Sequence, residues 1–258
     1  MFSVMRLCND CMVKDVAIGF DCIYFDSLIA RARNAAVAGF LNQKDATHLL
    51  FVDTDINFRS EDVFKMLERE KEVICGLYPK KYISKIKLDY IAKTNKQLPN
   101  NYESLCTDFS SEIFNDGEKA KYAATGFMLI KKEAILKIIE KFPNIKYKND
   151  IDSYEQYGDN FYNLFPCEIN PETKKYESED YGFSRLWRET GGEIFIEKSA
   201  ELIHYGWKGF SGNISEQMKY FNKKQKGIRY GSNNTIYHKS CTLLSGSKYL
   251  RITGYFNW

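Results

Sequence analysis

The chain has 258 residues, 44% of them hydrophobic, with a formal charge of +3 and seven cysteines. That length supports one sizeable core with at most an appendage. The composition speaks against a full disulfide framework, because the cysteine number is odd, and against a transmembrane protein, because no apolar run reaches bilayer length. Scattered cysteines point to a reducing, cytoplasmic setting without a signal peptide. The small net charge gives no expectation of a nucleic-acid partner. Cys8 and Cys11 form a CxxC, but no second pair lies at zinc-site spacing, so helix packing is the expected use.

Residues 2–13 read as a helix that places Phe2, Met5, Cys8 and Met12 on one face. A strand follows over 16–25. Asp26-Ser27 then caps a helix over 28–42, with Leu28, Ala32, Ala35 and Phe40 facing inward and Arg31 and Asn34 sharing another face. Arg31 and Arg33 sit in the first turns, where they oppose the helix dipole. Each is therefore expected to meet an anionic partner rather than to serve the helix, the alternative being surface carboxylates.

The stretch His48-Leu49-Leu50-Phe51-Val52-Asp53-Thr54-Asp55 runs an apolar segment into two aspartates. An uninterrupted apolar run reads as a strand buried on both faces, with Asp53 and Asp55 at its C-terminal end. Ligands of open α/β sheets bind at that end. Two carboxylates aimed at one point repel unless a cation lies between them, and closely spaced oxygen ligands suit Mg²⁺ or Mn²⁺. A calcium loop is excluded, since Phe58 and Phe64 stand where it requires Gly and Glu. The remaining alternative is a polar strand end capping the next helix, over 61–69.

Residues 72–77 read as a short buried strand opening into Tyr78-Pro79-Lys80-Lys81, where the lysines meet a phosphate or line a solvated turn. Residues 82–120 look irregular, with weak strands. A strand over 122–130 opens with small residues, and Gly126 would admit a ligand close to the backbone or mark a bulge. A helix over 132–141 stops before Pro143. Residues 144–176, with Tyr154, Tyr157, Phe161, Tyr162 and Phe165, form a long aromatic loop of the kind used as a lid or binding loop. Ser178 can cap a helix opening with Glu179 and Asp180, which ordinary capping also explains, and Gly191-Gly192 ends it. A strand over 193–197 follows, and then one over 200–207 that carries His204 to its end. A lone histidine is usually structural or exposed. Beyond Glu216 the chain holds no acid but many bases, including Lys219, Lys223, Lys224 and Arg229. Such a tail either touches polyanions or lipid headgroups or is simply solvated.

Taken in order, these pieces resemble the GT-A glycosyltransferases, closest to the small single-domain enzymes of bacteria, phages and large DNA viruses. The resemblance spans about residues 16–212. It rests on Ser27-Leu28-Ile29-Ala30-Arg31-Ala32-Arg33-Asn34, Phe51-Val52-Asp53-Thr54-Asp55, Gly76-Leu77-Tyr78-Pro79-Lys80-Lys81, Thr125-Gly126-Phe127, Ser178-Glu179-Asp180-Tyr181 and His204-Tyr205-Gly206. It implies an α/β fold, an open, twisted, mostly parallel sheet flanked by helices. The glycosyltransferase domain would cover residues 1–226, followed by a basic tail over 227–258. It implies Mn²⁺ or Mg²⁺ held by Asp53, Asp55 and His204 against a nucleotide-sugar donor, with Asp55 the more direct ligand. Glu179 and Asp180 would face the hydroxyl of a glycan or other acceptor, Asp180 as base. Gly126 would back the donor sugar. Beside these, Arg31, Arg33, Asn34, Lys80, Lys81 and Lys208 are the expected donor-binding residues.

The competing functions are a sugar nucleotidyltransferase, which lacks a Gly-rich phosphate loop here, and a non-catalytic carbohydrate-binding or assembly protein. One departure from the family is expected to matter. Its first apolar strand has no counterpart before the opening helix, which would leave an apolar gap and a free edge in the sheet. The weak period-2 alternation of Tyr249, Arg251 and Thr253 with Leu250, Ile252 and Gly254 marks 247–256 as the segment to cover it, within this chain or in a partner.

Overall fold

The computed structural model describes residues 2–24, 26–225 and 249–255. Helix α1 (Phe2–Val13) leads into strand β1 (Ala17–Ile23) and helix α2 (Ile29–Asn42). Strand β2 (His48–Asp53) is followed by the short β3 (Ile56–Asn57), then α3 (Ser60–Glu68) and β4 (Val73–Cys75). Helices α4 (Lys85–Thr94) and α5 (Tyr102–Leu105) precede β5 (Glu112–Ile113), β6 (Lys119–Tyr122), β7 (Phe127–Lys131) and α6 (Lys132–Lys141). After 3-10 turns at Pro143–Ile145 and Asp152–Tyr157 come β8 (Glu168–Ile169), β9 (Tyr176–Glu177), α7 (Glu179–Glu189) and β10 (Ile194–Ile196). Then follow β11 (Leu202–Tyr205), β12 (Gly209–Gly212), α8 (Ile214–Gln225) and β13 (Tyr249–Tyr255).

Period-2 alternation in the central strands builds a core on each face of the sheet. Leu49 and Phe51 of β2, Val73 and Cys75 of β4, and Met128 and Ile130 of β7 pack with Phe40 of α2, Ile135 of α6 and Phe183 and Trp187 of α7. Their neighbours Leu50, Val52, Ile74, Phe127 and Leu129 pack on the other face with Leu7 and Cys11 of α1 and Val63, Met66 and Leu67 of α3. A strand buried on both faces needs an unbroken apolar run, which is why His48–Asp53 reads as it does. Helix α2 lies close on the sheet because its inward residues are small: Ala32, Ala35, Ala36 and Ala38 are all fully buried.

Among the described residues the main sheet has eight strands, in the order β1-β13-β2-β7-β4-β10-β6-β5. It is mixed, where a mostly parallel sheet is expected: β7 is antiparallel to both β2 and β4, and β6 to both β10 and β5. The reversal has a local consequence. It brings the first residue of β7, not the last, to the C-terminal mouth of β2, where Asp53 N donates to the Gly126 carbonyl at 2.9 Å. A smaller antiparallel sheet, β12-β11-β3, stands beside that mouth.

Strand β13 occupies the expected gap. It lies between β1 and β2, parallel to both, with Ile252 level with Phe20 and with Leu50. Leu250 and Ile252 are buried, and Arg251 Nε donates to Asp21 of β1 at 3.1 Å. Part of the stretch expected as a tail therefore supplies an interior strand; residues 226–248 lie outside the described residues.

Other expectations need correction. Leu28 is exposed and lies outside α2, whereas Arg33 and Asn34 are buried in it. The buried face of α1 is Ser3, Leu7 and Cys11, which pack toward α3, so Phe2, Met5 and Met12 face solvent. The region 82–120 contains α4 and α5; α4 buries Ile91 alone and so shows no apolar stripe in sequence. The strand expected over 122–130 is two strands, β6 and β7, separated by the turn over 123–126. The aromatic loop is no free lid: Tyr154, Tyr157, Phe161 and Phe165 belong to the α2-side core. Among the described residues no helix is long and apolar enough to cross a membrane, and no described cysteine is in a disulfide.

Candidate active site at the mouth of the sheet

The C-terminal ends of β1, β13 and β2 lie level, with Ile23, Tyr255 and Asp53 in register, and Glu179 and Asp180 at the start of α7 stand against Arg33 of α2 at the same mouth. Arg33 of α2 joins the two sides. It is 3% exposed, and its Nη2 donates to Asp53 Oδ1 at 3.2 Å. Its Nε stands 3.8 Å from both Glu179 Oε1 and Asp180 Oδ1 of α7. That Nε is buried with no hydrogen-bond partner among the described residues. Burial disfavours the guanidinium charge, but Asp53 and Asp180, with Tyr78 and Glu179, more than restore it and raise the Arg33 pKa. The anion that Arg33 needs is thus the chain's own set of carboxylates.

Asp180 is largely withdrawn from solvent, 18% exposed. Thr125, just ahead of β7, fixes it: both the Thr125 backbone N–H and its hydroxyl donate to Asp180 Oδ1. Burial pushes Asp180 up to about 6, with Arg33 pulling down and Glu179 adding to the rise. Tyr78, at the exit of β4, is buried beside Asp53, and its hydroxyl oxygen accepts from Gly126 N at 3.3 Å. A Cβ at Gly126 would fall 2.5 Å from Asp53 Oδ2 and 2.6 Å from the Tyr78 hydroxyl. The bare Gly126 therefore makes room for Asp53 and Tyr78, where a ligand is the expected neighbour.

Asp55 has a different set of partners. His204 Nε2 of β11 lies 3.3 Å from Asp55 Oδ2, and Lys81 Nζ lies 2.5 Å from the same oxygen. His204 Nδ1 donates to the Pro79 carbonyl at 2.8 Å. The pairing of β11 with β3 sets this up, since His204 lies opposite Ile56 and Tyr205 N donates to the Asp55 carbonyl. Burial raises the Asp55 pKa, but His204 and Lys81 outweigh it and hold the carboxyl at about 2.

The facing Asp55 and His204 side chains are the candidate ligands of a metal ion. When neutral, with its one proton on Nδ1, His204 turns an Nε2 lone pair toward the Asp55 carboxylate; when protonated, it is itself the cation that faces Asp55 there. Two electron-rich groups 3.3 Å apart call for a proton or a cation between them. A carbonyl-oriented imidazole is also the usual outer support of a metal ligand. The pair suits a divalent ion that takes its other ligands from phosphate and water. Among the described residues no group of three or more His, Cys, Asp or Glu could hold a metal ion.

The other expected donor-binding residues are placed as follows. Arg31 is committed to Asp26, with Nε and Nη2 each 2.9 Å from a carboxylate oxygen, so the carboxylate alternative accounts for it. Asn34 clamps the aromatic loop: its Oδ1 accepts from Leu164 N and Phe165 N at 3.0 and 3.2 Å. Lys208 Nζ is bonded to Glu103 at 2.7 Å. Lys80 is exposed. Thr125 and Tyr78 were not among the expected site residues, although both sit inside motifs that mark the resemblance. Residues 125 and 180 are far apart in sequence, so nothing local announces their bond.

No family model matches the chain, and no curated protein matches it. Among solved structures the chain is similar to the crystal structure of A197 from STIV, at 17% identity over 78% of each chain and a TM-score of 0.39, a likeness too faint to bear on function.

Proposed function

We propose that the chain is a metal-dependent glycosyltransferase of the GT-A type, moving a sugar from a nucleotide-sugar donor to the hydroxyl of a glycan or other acceptor. One observation carries this reading. At one strand mouth the half-exposed Asp55 meets Lys81 and His204 through a single oxygen, Oδ2, while Asp180, oriented by Thr125, stands with Asp53 around the buried Arg33, so the two carboxyls are driven in opposite directions, Asp55 down and Asp180 up. Paired carboxyls separated in this way divide into a permanently ionised ligand and a proton acceptor that works near neutrality.

Asp55 and His204 would hold the divalent ion, with Asp53 pinned beside them by Arg33. When bound, Mn²⁺ or Mg²⁺ supplies positive charge against the leaving diphosphate. The imidazole favours Mn²⁺ over the more strictly oxygen-seeking Mg²⁺. Asp180 accepts the proton of the attacking acceptor hydroxyl. Thr125 holds one of its oxygens in place, so the carboxylate is oriented before the acceptor arrives. Arg33 favours the ionised form of Asp180 and keeps Asp53 and α7 in register. Lys81, and Lys80 beside it, lie where the diphosphate is expected and add charge against it.

The test is to incubate the full chain with Mn²⁺ and a panel of nucleotide sugars and to analyse the products. Release of nucleoside diphosphate that Asp55→Ala abolishes is the expected result. Consumption of added inorganic pyrophosphate, with formation of a nucleoside triphosphate and a sugar 1-phosphate from the nucleotide sugar, would mark a nucleotidyltransferase. Binding that raises thermal stability without any product would mark a carbohydrate- or nucleotide-binding protein.

A further inference from the structure

This inference rests on the metal reading above and concerns Lys81. Asp55 already carries a cation, since the Lys81 ammonium and the His204 imidazole converge on one oxygen, Oδ2. The Lys81 and Asp55 side chains are 38% and 37% exposed, so the ammonium can leave for water without crossing packed protein. Its stem passes Gly206, where an added Cβ would come within 3.1 Å of Lys81 Cδ. The backbone around it is held on both sides. Lys80 N donates to the Asp108 carbonyl at 2.7 Å, the Tyr82 hydroxyl donates to Asp108 Oδ2 at 2.8 Å, and the Pro79 carbonyl accepts from His204. The anchor is fixed and only the side chain is free to swing. A lysine is suited to this, being a compact charge on a flexible four-carbon stem.

We propose that Lys81 is a built-in counter-ion that competes with the divalent ion for Asp55 and, once displaced, engages the diphosphate of the donor. The charge balances at each step. The ammonium leaves Asp55 as the divalent ion arrives, and the phosphate charge then receives the ammonium. Metal binding and diphosphate binding are coupled through this one side chain, and such coupling is reciprocal. A site held this way binds free metal weakly and metal with phosphate tightly, so its full charge is assembled only when the donor is present.

The experiment is direct Mn²⁺ titration of the full chain by calorimetry, without nucleotide, followed by titration with the manganese complex of inorganic pyrophosphate. Lys81→Met keeps the stem and removes the charge. It is expected to tighten binding of Mn²⁺ alone about fivefold, the upper range of an exposed ion pair, and to weaken binding of the manganese–pyrophosphate complex by about as much. Lys131→Met removes an equal charge at the opposite end of β2, next to His48, and is expected to change neither. Thermal melting checks that each variant is folded. Mn²⁺ affinity that is unchanged in Lys81→Met, or raised as much by Lys131→Met, overturns the proposal while leaving the metal reading standing. Unchanged affinity for the pyrophosphate complex overturns the transfer of Lys81 to phosphate. Failure of every variant and of the parent chain to bind Mn²⁺ overturns the proposal and the metal reading together.

Discussion

Arg33 is the residue on which the mouth of the sheet depends. Three carboxylates surround it, and it is nearly inaccessible to water. Removing one partner of a buried ion pair leaves uncompensated charge and typically costs about 3–5 kcal/mol. Arg33→Met is therefore expected to lower the free energy of unfolding, measured by denaturant titration, by an amount in that range; a loss below about 1 kcal/mol would mean that water reaches the cluster. Asp180 calls for a kinetic test. Asp180→Asn is expected to lower kcat by two orders of magnitude or so while sparing donor affinity, the pattern of a group that acts in the transition state. The pH dependence has a definite sign. A base works only when deprotonated, so kcat/KM should rise with pH through about 6 and level off above it. Glu179 adds to the raised value, so Glu179→Gln should move that acid limb to lower pH. A limb that stays put in Glu179→Gln, or that persists in Asp180→Asn, would assign it to another group.

At the level of the element, β13 makes the sharpest claim. Ile252 is 2% exposed and lies between β1 and β2, so Ile252→Ala should cost about 3 kcal/mol, as a buried large-to-small change does. Val13, at the end of α1, is 79% exposed, and Val13→Ala should stay within about 0.5 kcal/mol. Equal, small effects at both positions would remove β13 from the sheet. How much of this was legible in the chain differs by element. The run Leu49-Leu50-Phe51-Val52 announces an interior strand, because burial on both faces leaves no room for polar residues. Helix α6 shows its amphipathic stripe, and its limits, Lys132–Lys141, agree with the sequence pattern. Alternation in β13 was weak but readable. Helix α4 was not, since one buried isoleucine is no stripe. The candidate site was readable in kind but not in pairing. Two arginines against a helix dipole signalled anions, yet the partners of Arg33 come from β2 and α7, and sequence patterns carry no distances between such elements. The aromatic loop misled because tyrosines that serve a core look the same in sequence as tyrosines that line a cleft.

For the whole molecule, the place of β13 in the strand order sets the timing of folding. Asp21 and Arg251 are bonded across 230 positions. Contacts that distant slow folding, because the closure of a long loop precedes any gain from the contact. Protein synthesis adds a direction to this. The ribosome delivers β1, β2, β4 and β7 well before the strand that separates β1 from β2, so the nascent chain carries two unpaired, apolar edges for most of its synthesis. Stalled ribosome–nascent-chain complexes should show the consequence. Chains halted after α8 are expected to be cleaved readily by added protease and to engage holdase chaperones. Chains extended until β13 has cleared the ribosome should become resistant and release them. Equal resistance at both lengths would mean that the sheet closes without its interior strand. A premature stop anywhere ahead of residue 249 would then yield not a shortened, folded protein but a chain permanently in the state that chaperones recognise, and cells should clear such products by degradation.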